Sequence, residues 1–221
     1  MKIRLLPPNI VNQIAAGEVV ERPSSAIKEL VENSIDAGAS KIDINLRNGG
    51  LTYLSVTDDG RGMNKEELLL SIERHATSKL PDDDIENIVT LGFRGEALPS
   101  IGSVSRIALT SRAIGSQESW QLRVDAGQSS GPKPAAHPQG TCVEVSDLFY
   151  ATPARLKFIK SERTEMNHIM DVVKRLAMAH PNIAFSVFSG ERHIFKVSCL
   201  QENFLSSRLD RIGAIMGNEF G

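Results

Sequence analysis

Cysteine is scarce here: Cys142 and Cys199 are the only two in 221 residues. Two thiols do not make a zinc site by themselves, and their default state is reduced, as in a cytosolic protein. No apolar run approaches the ~20 residues that cross a bilayer, so no membrane partner is expected. The start, Met1-Lys2-Ile3-Arg4-Leu5-Leu6-Pro7-Pro8, has no long apolar stretch of the secretory kind, and a cytoplasmic location is the expectation. Neither sign of charge is in excess. A net charge of −2 argues against blind attraction to polyanions, while leaving room for a local basic groove. The five histidines, at 75, 137, 168, 180 and 193, show no metal-ligand spacing. Two common phosphate-binding signatures are also missing: there is no Gly-x-x-x-x-Gly-Lys-Ser/Thr loop and no Gly-x-Gly-x-x-Gly after a strand.

What is present is an ordinary globular composition, 41% hydrophobic and 24% charged, long enough for one large domain or one plus the start of another. The periodicity predicts a short helix from Asn9 to Ala16, stopped by Gly17, and a second from Pro23 to Ala37, with Pro in the first turn and Ser24 or Ser25 to cap it. Ile42, Ile44 and Leu46 alternate with polar residues, which predicts a strand over Lys41–Arg47. Asn48-Gly49-Gly50 reads as a turn and Leu51–Thr57 as the return strand. Asn64-Lys65-Glu66-Glu67 predicts a capped helix through Ile72. His75 to Leu91, with Pro81-Asp82-Asp83-Asp84 inside it, reads as a long polar connection suited to a lid. Strands are predicted near 105–111, 120–124 and 141–145, with 127–140 as a surface loop. A helix follows over Ser161–His180, with Met166 and Met170 in its packing stripe, and then a hairpin of Ile183–Phe188 with Arg192–Val197.

Three blocks carry the chemistry. On the helix through Glu29-Leu30-Val31-Glu32-Asn33, the residues Ile27, Leu30, Val31, Ser34 and Ile35 fall on one side and Glu29, Glu32, Asn33 and Asp36 on the other. Glu29 and Asn33, one turn apart, can address one ligand: a carboxylate to orient and deprotonate water, an amide oxygen to ligate a hard cation. A solvated acidic face gives the same pattern. Asp58, at a strand end before Asp59-Gly60-Arg61-Gly62, can accept a hydrogen bond from an exocyclic amine such as adenine presents, with Asp59 the solvent-facing neighbour; a plain Asp-Gly turn reads alike. Gly92-Phe93-Arg94-Gly95-Glu96-Ala97-Leu98 opens an apolar helix whose amides attract phosphate, with Arg94 adding charge; the alternative is a loop anchored by a buried aromatic. Together the blocks suit a nucleotide, a divalent cation and an attacking water.

In this order the blocks resemble the GHKL ATPases, and most closely the MutL family of DNA mismatch repair proteins. The resemblance extends to Gln13-Ile14-Ala15-Ala16-Gly17-Glu18-Val19-Val20-Glu21-Arg22-Pro23, to Asp36-Ala37-Gly38-Ala39, to His75-Ala76-Thr77-Ser78-Lys79 and to Thr152-Pro153-Ala154-Arg155. Ala151, Leu156 and Gly102 depart from the family's usual residues, away from the nucleotide site. A gyrase-like chain would lack the Gln13–Pro23 string, and a histidine kinase would need a phospho-acceptor helix that is not found.

The resemblance implies an α/β two-layer sandwich, helices on one face of a mixed sheet, over residues 1–205, with 206–221 beginning a second, transducer-like domain. It implies ATP and Mg²⁺ as cofactors, with Glu29 the general base, Asn33 the Mg²⁺ ligand and Asp58 the reader of adenine. Gly60 and Gly62 would make room for the base beside Met63, with Thr141 near Asp58. Thr77, Ser78 and Lys79 would belong to the lid, and Gly92, Arg94, Gly95, Glu96, Ala97 and Leu98 to the phosphate loop. Family members draw a γ-phosphate lysine from the second domain, so hydrolysis by this piece is expected to be slow, and a nucleotide-binding switch is the alternative. Implied partners are a MutS-type mismatch recognition protein, a second copy on ATP binding, and DNA, weakly. The cluster Arg155, Lys157, Lys160 and Arg163 offers phosphate contacts, diluted by Glu162 and Glu165.

Overall fold

The computed structural model describes residues 3–79, 90–92, 94–199 and 204–217, with backbone alone at 8, 9 and 204–208. The Pro81–Asp84 loop, most of the proposed lid and Phe93 lie outside the described residues.

Alternation builds the sheet. The strands are β1 (Lys41–Arg47), β2 (Tyr53–Asp58), β3 (Arg106–Arg112), β4 (Ser119–Asp125), β5 (Gln128–Ser129), β6 (Lys133–Ala135), β7 (Gly140–Ser146), β8 (Ala184–Ser189) and β9 (Arg192–Val197). Their order is β5-β4-β3-β7-β2-β1-β8-β9, with β6 also on β4. Every described pairing is antiparallel except β1 with β8. In register, Leu122, Leu109, Val143, Val56, Ile44 and Val187 form one apolar row across six strands. Because side chains alternate faces, the next row on that same face is Trp120, Ser111, Thr141, Asp58, Ile42 and Phe185. A polar triplet thus stands where the hydrophobic core would continue.

The helices are α1 (Pro8–Val19), α2 (Pro23–Asp36), α3 (Lys65–Leu70), α4 (Ala97–Val104), α5 (Pro153–Leu156), α6 (Glu162–Ala179) and α7 (Phe204–Met216). Helix α2 buries Ala26, Ile27, Leu30 and Val31 against β2 and α6, giving the two-layer sandwich its core. Ile27, Leu30 and Val31 each add about 1.5–3 kcal/mol by leaving water. The Met166–Met170 stripe of α6 packs on that core, as predicted.

Several boundaries differ from the prediction for physical reasons. Helix α1 runs on through Gly17, where a Cβ would meet the Arg155 guanidinium at 1.9 Å; the glycine makes space there instead of ending the helix. Helix α2 has Arg22 at its N-cap with no side-chain cap, and neither Ser24 nor Ser25 serves. The Asn64–Glu67 capping box is formed in both directions, though its helix stops at Leu70. The 127–140 loop contains the short edge strands β5 and β6. Helix α7 is docked by Arg211, only 1% exposed, whose Nη2 donates to the carbonyls of Pro181, Ile183 and Ser198.

Candidate active site

Helix α2, the ends of β2 and β7, the 75–79 segment and the start of α4 enclose a cavity of 970 Å³. Its floor is the polar row of the sheet. Asp58, 8% exposed, accepts from the Ser34 hydroxyl at 2.8 Å through Oδ2, and from the Gly60 and Thr141 amides at 3.0 and 3.3 Å through Oδ1. Burial pushes its carboxyl above the ordinary carboxylate range, and those three donors pull part of the way back. Ser111 ties the floor together: its hydroxyl pairs with Thr141 Oγ1 at 2.9 Å, donates to the Gly140 carbonyl and receives the Met63 amide.

The helix wall carries Glu29 and Asn33, both on the cavity. Lys28 lies 2.7 Å from Glu32 and 3.6 Å from Glu29. Glu32 is therefore not on a solvated face: it is 8% exposed, with its charge met by Lys28. Although burial alone lowers the Lys28 pKa, the hydrogen bond to Glu32 and the two carboxylates hold it above the usual lysine value.

The far wall is the phosphate-loop block. Gly92, Arg94, Gly95, Glu96, Ala97 and Leu98 all border the cavity. Eight-residue α4 begins at Ala97, and the first amides of a helix have no partner within it. Gly95 has φ +62°, and a Cβ there would meet the Ala76 carbonyl oxygen at 2.4 Å. The 75–79 segment is thus pressed onto this loop, with His75 Nδ1 3.6 Å from Glu96. Thr77, Ser78 and Lys79 border the cavity from that segment, and Arg61 donates to Ser78.

Of the residues that the resemblance assigns to the nucleotide site, all but Gly60 border the cavity. A Cβ added at Gly60 would lie 2.8 Å from the Ala37 carbonyl oxygen, so the absence of a side chain lets the turn pack against the end of α2. Gly62 borders the cavity; its φ is +64°, and an added Cβ would lie 1.9 Å from the Arg112 carbonyl oxygen, so glycine also lets the turn approach the end of β3. Asp59 is exposed, as expected, and also receives the Ser40 and Lys41 amides. Ser34 belongs to the site, although helical phase places it with the apolar side. Asp36 was missed as a site residue. Its carboxylate accepts Lys79 Nζ at 2.6 Å and the amides of Leu91 and Gly92 at 3.0 and 3.2 Å.

Lys79 Nζ also donates to Asn33 Oδ1 at 2.7 Å. An ammonium of the chain itself thus stands on the amide oxygen that the sequence assigns to a metal, beside a carboxylate. Hard oxygen donors of this kind fit magnesium, which favours carboxylate, amide and phosphate oxygens over nitrogen or sulfur. No cluster of three or more His, Cys, Asp or Glu occurs among the described residues, so ligand oxygens would have to complete the shell.

Elsewhere, the basic cluster is altered. Arg155 turns inward, donating to the Val20 carbonyl at 3.1 Å, while Lys157, Lys160 and Arg163 stay exposed. Glu165 is fully buried and accepts the Lys160 amide, so it does not dilute the surface. The thiols are unpaired: Cys142 accepts from Thr57 Oγ1, and Cys199 donates to the Asn182 carbonyl. No described helix is long and apolar enough to cross a membrane.

Residues 21–149 match the family described as histidine kinase-, DNA gyrase B-, and HSP90-like ATPase. The DNA mismatch repair protein MutL of Rhodospirillum rubrum is 63% identical over 220 residues, covering 100% of this chain and 35% of that protein. The MutL of Paramagnetospirillum magneticum is 60% identical, with 100% and 36% covered. The chain therefore spans about a third of the length of these curated relatives. A solved structure of the Aquifex aeolicus MutL ATPase domain complexed with ADP is similar at TM-score 0.74 and 31% identity, over 90% of this chain and 70% of that one. The chain belongs to the histidine kinase-, DNA gyrase B- and HSP90-like ATPases and, within them, to the MutL ATPase domains.

Proposed function

We propose that this chain is the ATP-binding, slowly ATP-hydrolysing region of a MutL-type DNA mismatch repair protein. The observation that carries the reading is one cavity with Asp58 on its floor and Glu29 and Asn33 on its helix wall. The ADP complex of the Aquifex relative supports it. Asp58 receives the adenine amine, and Thr141 and Met63 flank the base. Asn33 would hold magnesium, and the ion would supply positive charge to offset that developing during phosphoryl transfer. Arg94 and the amides of Gly95 to Leu98 hold phosphate oxygens, and Thr77, Ser78 and Lys79 cover them. Glu29 takes a proton from the water that attacks the γ-phosphorus as the ADP oxygen departs.

A binding module with little turnover is the second reading. Lys28 near Glu29 and Lys79 on Asn33 favour it, since the proposed base and the proposed magnesium ligand are both engaged within the chain. Single-turnover phosphate release separates the two. Glu29→Ala should retain affinity for a fluorescent ATP analogue and abolish release; equal loss of both overturns the base assignment.

Residues 206–221 remain proposed as the start of a second domain. Association of two copies on ATP binding is supported by a run of exposed apolar side chains, Ile3, Leu5, Val11 and Ile14. Exposed Lys157, Lys160 and Arg163 suit weak contact with DNA phosphates. Similarity to the MutL relatives supports a MutS-type protein as partner and a cytoplasmic location.

A further inference from the structure

The Lys79 ammonium has two oxygen partners at 2.7 and 2.6 Å, and only 19% of its side chain is exposed. The Asp36 side chain is more buried still, at 7%. This is no loose surface pair. Asp36 spends both oxygens: Oδ1 on the Leu91 amide, Oδ2 on the Gly92 amide and Lys79. Gly92 is close enough that a Cβ on it would touch Lys79 Nζ at 3.5 Å and Asn33 Oδ1 at 3.9 Å. The lysine is thus packed into the corner where α2 meets the phosphate-loop block. An amide oxygen has two lone pairs, but two cations at contact distance on it repel each other, so a bound ammonium weakens the hold on a metal there.

We propose that Lys79 and the divalent cation exchange at Asn33 Oδ1, with Asp36 the positioning residue that parks the lysine there when no metal is bound. The proposal rests on the ATP-site reading above. Lys79 is a surrogate cation that keeps the Asn33 amide and the Asp36 carboxylate compensated in the nucleotide-free chain. Arrival of the metal displaces it toward the neighbouring phosphate oxygens. Metal and lysine then neutralise the ligand together, and the metal's affinity carries the cost of evicting the lysine.

The test is Mn²⁺ binding to the chain with saturating ADP, read as free Mn²⁺ by electron paramagnetic resonance, without turnover. Lys79→Met and Lys79→Gln should each bind Mn²⁺ tighter than wild type by about five- to tenfold, the scale expected on removing one nearby competing charge. Simple through-space repulsion would give a similar gain, so a double-mutant cycle with Asn33→Ala decides. With direct exchange, the gain from Lys79→Met vanishes when Asn33 is absent. A gain that persists in the Asn33→Ala background overturns the proposal, as does unchanged or weaker Mn²⁺ binding in both Lys79 variants. If the wild-type chain shows no ADP-dependent Mn²⁺ binding at all, the ATP-site reading itself fails, a result distinct from either.

Discussion

The Ser34 hydroxyl donates to Asp58 Oδ2 at 2.8 Å and links helix α2 directly to the end of strand β2. The same hydroxyl lies 3.2 Å from the Leu30 carbonyl of its own helix, so it has a second acceptor within reach. The buried carboxylate on the cavity floor is therefore positioned by the helix that also carries Glu29 and Asn33.

Asp58→Asn should separate stability from binding. Burial holds the Asp58 pKa above its unfolded value, so the folded state binds that proton more readily than the unfolded state does. Stability then falls as pH rises from the unfolded value through the folded one, and the full cost is present at neutral pH. An asparagine keeps an oxygen for the Gly60 and Thr141 amides and carries no charge. Thermal unfolding at pH 7 should show a raised Tm that converges on wild type in acid, while ATP-analogue affinity drops by more than about tenfold through the lost charge-assisted bond. A lower Tm with unchanged affinity would contradict both roles.

Gly62→Ala should be costly. The residue has φ +64°, and an added Cβ would sit 1.9 Å from the backbone oxygen of Arg112. Strain of this kind costs about 1–3 kcal/mol before any displacement of β3. For a domain of this size, calorimetry should show Tm lowered by about 2–12 °C. A neutral substitution would mean that the β3 end yields freely.

Asp36→Ala should release two specific amides. In the nucleotide-free chain, Leu91 and Gly92 should exchange hydrogen at least about tenfold faster, because their acceptor is gone, while core amides such as Ile44 stay protected. Lys79→Met should leave both amides slow. Fast exchange in Lys79→Met as well would mean that the lysine, not the carboxylate, holds this segment.

Lys28→Met leaves Glu32, 8% exposed, without its ion-pair partner. Because Lys28 is itself half-exposed, the expected loss is modest, about 1 kcal/mol. Adding Glu32→Gln should recover most of it, and chemical denaturation of the single and double variants measures the coupling. Additive losses would mean that the pair contributes nothing to the fold.

Local signals were legible wherever the partners lie close in sequence. The alternation of Ile42, Ile44 and Leu46 marks both ends of β1, and Asn64 with Glu67 marks the start of α3. The three blocks also converge on one cavity, because the face of α2 carrying Glu29 and Asn33 looks toward the end of β2 and the start of α4. Partnerships across long stretches were not legible. Asp36 meets Lys79 and Gly92 at separations of 43 and 56 residues, and nothing in the α2 pattern sets it apart from Glu32. Gly17 and Gly62 look like a helix stop and a turn, but each is a space that a distant residue, Arg155 or Arg112, fills. Strands β5 and β6 are too short for alternation to register and form only by pairing with β4.

The polar row of Asp58, Thr141 and Ser111 has one more consequence. It interrupts the interior side of the sheet, so under the proposed function the purine is the missing piece of that interior, covered much as a buried side chain would be. Nucleotide supply then becomes a thermal ballast for the protein: a ligand at a hundred times its Kd adds about 2.7 kcal/mol to the native state by mass action alone. A chain with the pocket filled would then unfold at a higher temperature than the same chain without nucleotide.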